Sequence, residues 1–161
     1  MDLRPIAFVT GVLLVILAIT MLVPAAFELF SGASTWRAFL ISAGFTAFIG
    51  SAMAVSTQAK HEHLTVRQAF VMTTAIWLSI ALFGTLPFLL AIEDISLASA
   101  FFESMSGITT TGSTILTGLD TTAPGILVWR SLLQWLGGVG IIVMALSILP
   151  MLGVGGMQLF R

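Results

Sequence analysis

Apolar positions along this chain do not alternate with polar ones; they run together in long blocks. Four blocks stand out, at residues 6–23, 38–57, 69–92 and 126–149, the third with Pro87 near its far end and the last interrupted only by Arg130. A helix of ~20 apolar residues crosses a hydrocarbon core ~30 Å thick, so each block predicts a transmembrane helix. Between the third and fourth lies a shorter segment, SLASAFFESMSG, residues 96–107. Ser96 is a helix cap and Gly107 a stop signal. About ten helical residues at ~1.5 Å each reach ~15 Å, half a bilayer. The predicted order is span, span, span, half-helix, loop, span.

Composition agrees with that pattern. Of 161 residues, 58% are hydrophobic and 8% charged, with a mean hydropathy of +1.10, whereas soluble domains carry about 25% charged residues. The expectation is an all-α membrane protein. A net charge of −1 and six scattered basic residues make no nucleic-acid-binding stripe. The absence of cysteine excludes disulfides and thiolate metal sites. Residues 1–23 could be read as a signal peptide with Arg4 as its basic end, but signal cores are ~7–15 residues. This run is longer and flows into three more spans.

Basic residues favour the cytoplasmic side. Arg4, the Lys60–Arg67 loop and Arg161 fall on one side of the alternating spans; Glu28, Glu93, Asp94 and Asp120 fall on the other, with Arg37 as the exception. The expected N-terminus is cytoplasmic, and the half-helix enters from outside and returns there, as a re-entrant pore helix.

The returning segment reads ITTTGSTILTG, residues 108–118. Irregular backbone at membrane depth is tolerated where protein buries it or where it lines a watery path. Threonine and serine hydroxyls line such a path without fixed charge, and Gly112 adopts backbone angles that other residues avoid. Carbonyls aimed one way replace the hydration shell of a cation, and the C-terminal end of the half-helix adds a partial negative charge. A monovalent ion suits this loop, since a divalent one favours carboxylates. A threonine-rich loop with a glycine is also what an interfacial turn looks like; the half-length helix between two full spans favours the pore.

The stretches AFFESMSGITTTGST (residues 100–114), WRSLLQWLGGVGIIVMALSILPMLGVGGMQLFR (residues 129–161) and GTLPFLL (residues 84–90) together resemble the Trk/Ktr/HKT potassium transporter superfamily, most nearly the membrane subunit of bacterial Trk uptake systems. The resemblance implies span–pore loop–span repeats, four of them around one pore. This sequence holds the first repeat, residues 67–161, after two leading helices in residues 1–66, and so is expected to be the N-terminal portion of such a transporter. By resemblance, Thr110 and Thr111 occupy the potassium-coordinating filter positions, Gly112 the filter glycine, and Thr109 and Ser113 flank them. Potassium is the transported ion, with no other cofactor. The implied setting is the bacterial inner membrane and its lipid, with a cytosolic nucleotide-binding regulatory subunit of the TrkA type, and a homodimer when intact. Other readings are an inert fragment or assembly module, and a polytopic membrane enzyme built on Glu103 and the threonines.

Further residues have plainer expectations. Glu103, in the half-helix, is read as a structural brace, and Arg130 as its partner, Asp120 being another choice; Gln134 shares a helix face with Arg130. His61 and His63 in KHEH, residues 60–63, read as a solvated loop rather than a metal site. Gly137, Gly138 and Gly140, and the Ala43, Ala47, Ser51 series, read as close-packing faces. Trp36 and Trp129 are expected at the outer interface, and residues 153–156 form a flexible cytoplasmic exit.

Overall fold

The computed structural model describes residues 3–57 and 65–151, with side chains as far as residue 146. The KHEH stretch and residues 153–156 lie outside the described residues. Everything described is helix or connecting loop: α1 (Arg4–Ser31), α2 (Trp36–Ser56), α3 (Val66–Gly84), α4 (Leu86–Ala91), α5 (Leu97–Ile108), a single 3₁₀ turn at Leu119–Thr121, and α6 (Pro124–Met151). Four segments are long and apolar enough to cross a membrane: Arg4–Ser31, Trp36–Ser56, Val66–Ala91 and Pro124–Leu146. This is an all-α, multi-pass membrane protein.

The spans fall where the apolar runs place them, but two differ in extent. α1 does not end near Val23. It continues through Pro24 to Ser31, so Glu28, expected in an outer loop, sits in the last turn of a spanning helix and is fully buried. Proline inside a helix is more readily tolerated in a membrane bundle than in a soluble helix. The third span is not continuous either. It breaks at Thr85, and Pro87 lies in the first turn of α4, where its missing N–H costs nothing.

The break explains a residue that the sequence reading misplaces. Trp129 does not face outward as an interfacial anchor would; it is completely buried within the bundle. Its indole N–H donates to the Gly84 carbonyl at 3.1 Å, an oxygen at the point where α3 stops. The ring packs edge-on against Phe39 of α2, centroids 6.5 Å apart. Around them Leu17, Met21, Phe88, Ile126 and Leu133 complete the core, which joins the leading pair α1–α2 to the rest of the bundle.

The leading pair packs backbone to backbone. A Cβ on Gly11 would lie 2.7 Å from the Gly50 carbonyl, and one on Gly50 would lie 2.8 Å from that of Gly11. The contact face of α2 therefore carries Ala43, Thr46 and Gly50, while Ala47 is only half-buried and Ser51 is exposed. The expected Ala43–Ala47–Ser51 face is off by a small rotation of the helix, because Gly50 sets the closest approach.

Candidate functional site

α5 runs from Leu97 to Ile108, 12 residues, about 18 Å of helix and too short to cross a bilayer. Ser96 caps it as expected, its hydroxyl accepting the Ser99 N–H at 3.1 Å. Gly107 does not stop it. That residue lies inside the helix, where a Cβ would come within 3.0 Å of Leu133 Cβ on α6. The same interface rests on Gly137, where a Cβ would fall 1.8 Å from the Ile108 carbonyl oxygen. Gly138 and Gly140 meet no such contact, so only one of the three glycines of that cluster is required by packing. Two glycines facing two helices thus bring the end of α5 against the middle of α6.

The helix closes on itself through the threonines. The Thr110 N–H donates to the Gly107 carbonyl at 2.9 Å, and the Thr111 N–H reaches back to the Ser106 carbonyl at 3.0 Å. These are the two bonds of a Schellman cap, whose first donor residue takes the left-handed conformation. Glycine normally fills that position; here Thr110 does, with φ +58°. A β-branched residue with positive φ is a conformational outlier, at a cost of roughly 1–2 kcal/mol. Two residues on, Gly112 takes φ +77°, as its lack of Cβ allows. The chain therefore reverses hand twice in three residues.

Below and behind the loop, polar groups hold it. The Gly112 N–H also points to the Ser106 carbonyl, at 3.3 Å, and the Ser106 hydroxyl donates to the Ser113 carbonyl at 2.6 Å. Ser113 is thus engaged toward the half-helix. The Thr109 hydroxyl donates to the Met105 carbonyl at 2.7 Å and lies 2.9 Å from that of Thr111. Among the described residues, nothing donates to the carbonyl oxygens of Thr109, Thr110, Thr111 or Gly112, and residues 109–115 are exposed.

Glu103 organises the ascending arm. It is completely buried, and its Oε2 accepts the Arg130 Nε–H at 2.9 Å. Its Oε1 accepts the Ile115 N–H at 2.6 Å and the Thr114 hydroxyl at 2.7 Å, with the Leu116 N–H at 3.4 Å. A lone carboxylate in this setting is costly, and the cost falls when all its lone pairs are used. Arg130 pairs with Glu103, not with Asp120, and Gln134, one turn further along α6, lies beside Gly112. The predicted loop residues and the predicted brace pair are brought together around one feature.

Glu28 is the functional-site candidate that the sequence reading missed. Its Oε1 accepts the Gly125 N–H in the first turn of α6, and its Oε2 accepts the Thr35 hydroxyl. The only available signal was a glutamate four residues past a proline, at the end of a run whose hydropathy had already fallen.

A family model described as "TrkH: Cation transport protein" matches residues 34–161. The Trk system potassium uptake protein TrkH of Halomonas elongata is 41% identical over 162 aligned residues, covering 100% of this chain and 34% of that protein. The TrkH of Vibrio parahaemolyticus is 42% identical over 163, covering 100% and 33%. The crystal structure of the potassium transporter TrkH from Vibrio parahaemolyticus superposes with a TM-score of 0.88 at 39% identity, over 98% of this chain and 34% of that one. The chain spans about a third of the length of these relatives.

Proposed function

This chain belongs to the TrkH family of cation transport proteins, and from that premise we propose that it forms one wall of a potassium-selective pore, the N-terminal part of a Trk-type uptake system. The filter is Thr109 to Ser113. Thr110, Thr111 and Gly112 present carbonyl oxygens to a dehydrated potassium ion. Thr109 and Ser113 flank them, the latter with its carbonyl engaged by Ser106.

The observation that carries this reading is the set of four unpaired carbonyls on an exposed face. Unpaired backbone acceptors at membrane depth cost several kcal/mol each unless they line a hydrated or ion-filled path. Ring-arranged carbonyls do that for potassium. α5 enters from the outer side and the loop returns there, so that α5 is re-entrant and the N-terminus cytoplasmic. Glu103 and Arg130 act as a brace: they touch no ion, and they fix the arm whose angle sets where the carbonyls point. Transport, not catalysis, is the activity. The proposal extends to the remaining walls of the pore, a nucleotide-binding regulatory subunit on the cytosolic side, pairing of two intact copies and residence in the bacterial inner membrane, readings that the kinship with Trk uptake proteins supports.

The test is rubidium uptake in bacteria lacking their own potassium transporters. The full chain is expressed and its insertion verified by immunoblot, beside the same chain followed by the remaining two-thirds of a TrkH relative. Uptake above background in either, lost on Thr111→Asp, is the expected result. Uptake indifferent to Thr111→Asp overturns the filter assignment.

A further inference from the structure

Glu28 lies outside the span–loop–span repeat, on the first leading helix, yet its carboxylate is spent on the repeat. α6 begins at Pro124. The position before it is Ala123, whose methyl group cannot cap a helix. The missing acceptor comes from 97 residues away in the chain, where Glu28 Oε1 takes the Gly125 N–H. A carboxylate is well placed there, because the first turn of a helix carries partial positive charge. Gly125 is matched to it: a Cβ at that position would lie 2.4 Å from Glu28 Cγ and 2.5 Å from its Oε1. The other oxygen is occupied by the Thr35 hydroxyl at the start of α2. One buried carboxylate thus ties together α1, α2 and α6.

The consequence lies in what hangs between two such ties. The arm from Thr114 to Ala123 joins the loop to α6. Its near end is gripped by Glu103, through Thr114, Ile115 and Leu116. Its far end runs into the helical turn that Glu28 grips. The two grips are also joined through α6, because Arg130, on Glu103, lies five residues from Gly125, about 7.5 Å along the axis. The contacts therefore form a continuous path from Glu28 along α6 to the Arg130–Glu103 pair and on to the backbone following Ser113. Ionisable groups inside a membrane bundle are costly and so carry a function by default; Glu28 touches neither the loop nor the unpaired carbonyls.

We propose that Glu28 is a positioning residue for the loop: it clamps the far end of the arm that Glu103 clamps at the near end, which makes the leading helix pair part of the frame holding the loop's geometry. The functional consequence, altered ion discrimination, rests on the filter reading above; the mechanical coupling does not. The test is hydrogen–deuterium exchange on the full chain in lipid nanodiscs, comparing the native sequence with Glu28→Ala and Glu28→Gln. Removal of an acceptor from a charge-assisted bond is expected to speed exchange about tenfold or more at residues 124–128. If Glu28 positions the loop, Glu28→Ala also speeds exchange several-fold at residues 111–116, while residues 66–84 stay at native rates, and Glu28→Gln, which keeps an acceptor, restores most of the protection. Acceleration confined to residues 124–128 overturns the proposal and leaves Glu28 a local cap. Should Glu28→Ala fail to insert, Thr35→Val, which removes only the second partner, is expected to produce the same pattern more weakly, and native rates at both segments in that variant overturn it too. Coupled exchange together with rubidium uptake that is indifferent to Thr111→Asp would sink the filter reading while the coupling stands.

Discussion

At the scale of single residues, Thr110 concentrates the tension between local preference and site geometry. Among the described residues its hydroxyl has no hydrogen-bond partner and its surface is exposed, so no side-chain contact compensates for φ +58°, which only the backbone bonds that close α5 hold. Strain that persists without local compensation clusters at functional positions. Thr110→Gly is therefore expected to stabilise the chain. Relief of roughly 1–2 kcal/mol of left-handed strain exceeds the ~0.5–1 kcal/mol of backbone freedom that glycine restores to the unfolded state. Thermal unfolding in detergent should show a later transition; an earlier one would mean that the threonine side chain holds the cap after all. The loop's residue types were legible in the sequence, but its shape was only half so. Gly112 announces a positive φ, while the positive φ at Thr110 follows from the two bonds that close α5, and those depend on where the helix ends. Reading Gly107 as the stop put that end one residue early and hid the cap.

At the scale of elements, run length located the spans because bilayer thickness sets a length that composition must match. Run length says nothing about what happens along a helix, and the misplacements fall there. The break at Thr85 leaves a carbonyl that Trp129 satisfies, so an aromatic with the composition of an interfacial anchor becomes the centre of the core. The apolar run that ends at Val23 puts Glu28 in a loop, whereas α1 continues one full turn beyond Pro24 to the carboxylate. The α5–α6 contact offers a sharp prediction at this scale. Gly137→Ala drives a methyl group to 1.8 Å from the Ile108 carbonyl, which only separation of the helices can relieve. Gly138→Ala, one residue on, meets nothing within 4 Å and removes a helix-interior glycine, worth about 1 kcal/mol in favour of the helix. Unfolding in increasing SDS should show the first variant strongly destabilised, beyond about 2 kcal/mol, and the second unchanged or improved. Equal behaviour of the two would mean that α5 does not seat against α6.

At the scale of the whole molecule, the issue is which groups share a side of the membrane. α5 is too short to cross, and the arm after the loop is irregular backbone, which the hydrocarbon does not accept on a lipid-facing surface. If α5 and its loop enter and leave by one face, Glu93 before α5 and Asp120 after the loop must meet the same aqueous compartment. Both are exposed. Arg67, in the first turn of α3 and also exposed, lies one full span away and must meet the other. The chain has no cysteine, so single substitutions give unambiguous labels. In right-side-out membrane vesicles, Glu93→Cys and Asp120→Cys should both react with a membrane-impermeant maleimide, and Arg67→Cys should react only after the membrane is permeabilised. Reversal of all three labels would invert the orientation yet leave the re-entrant path intact. Labelling of Glu93→Cys and Asp120→Cys from opposite sides would instead force α5 and its threonines to traverse the bilayer. The four unpaired carbonyls would then lie along a crossing strand, and the reading of Thr109 to Ser113 as a pore wall would fall with the topology that supports it.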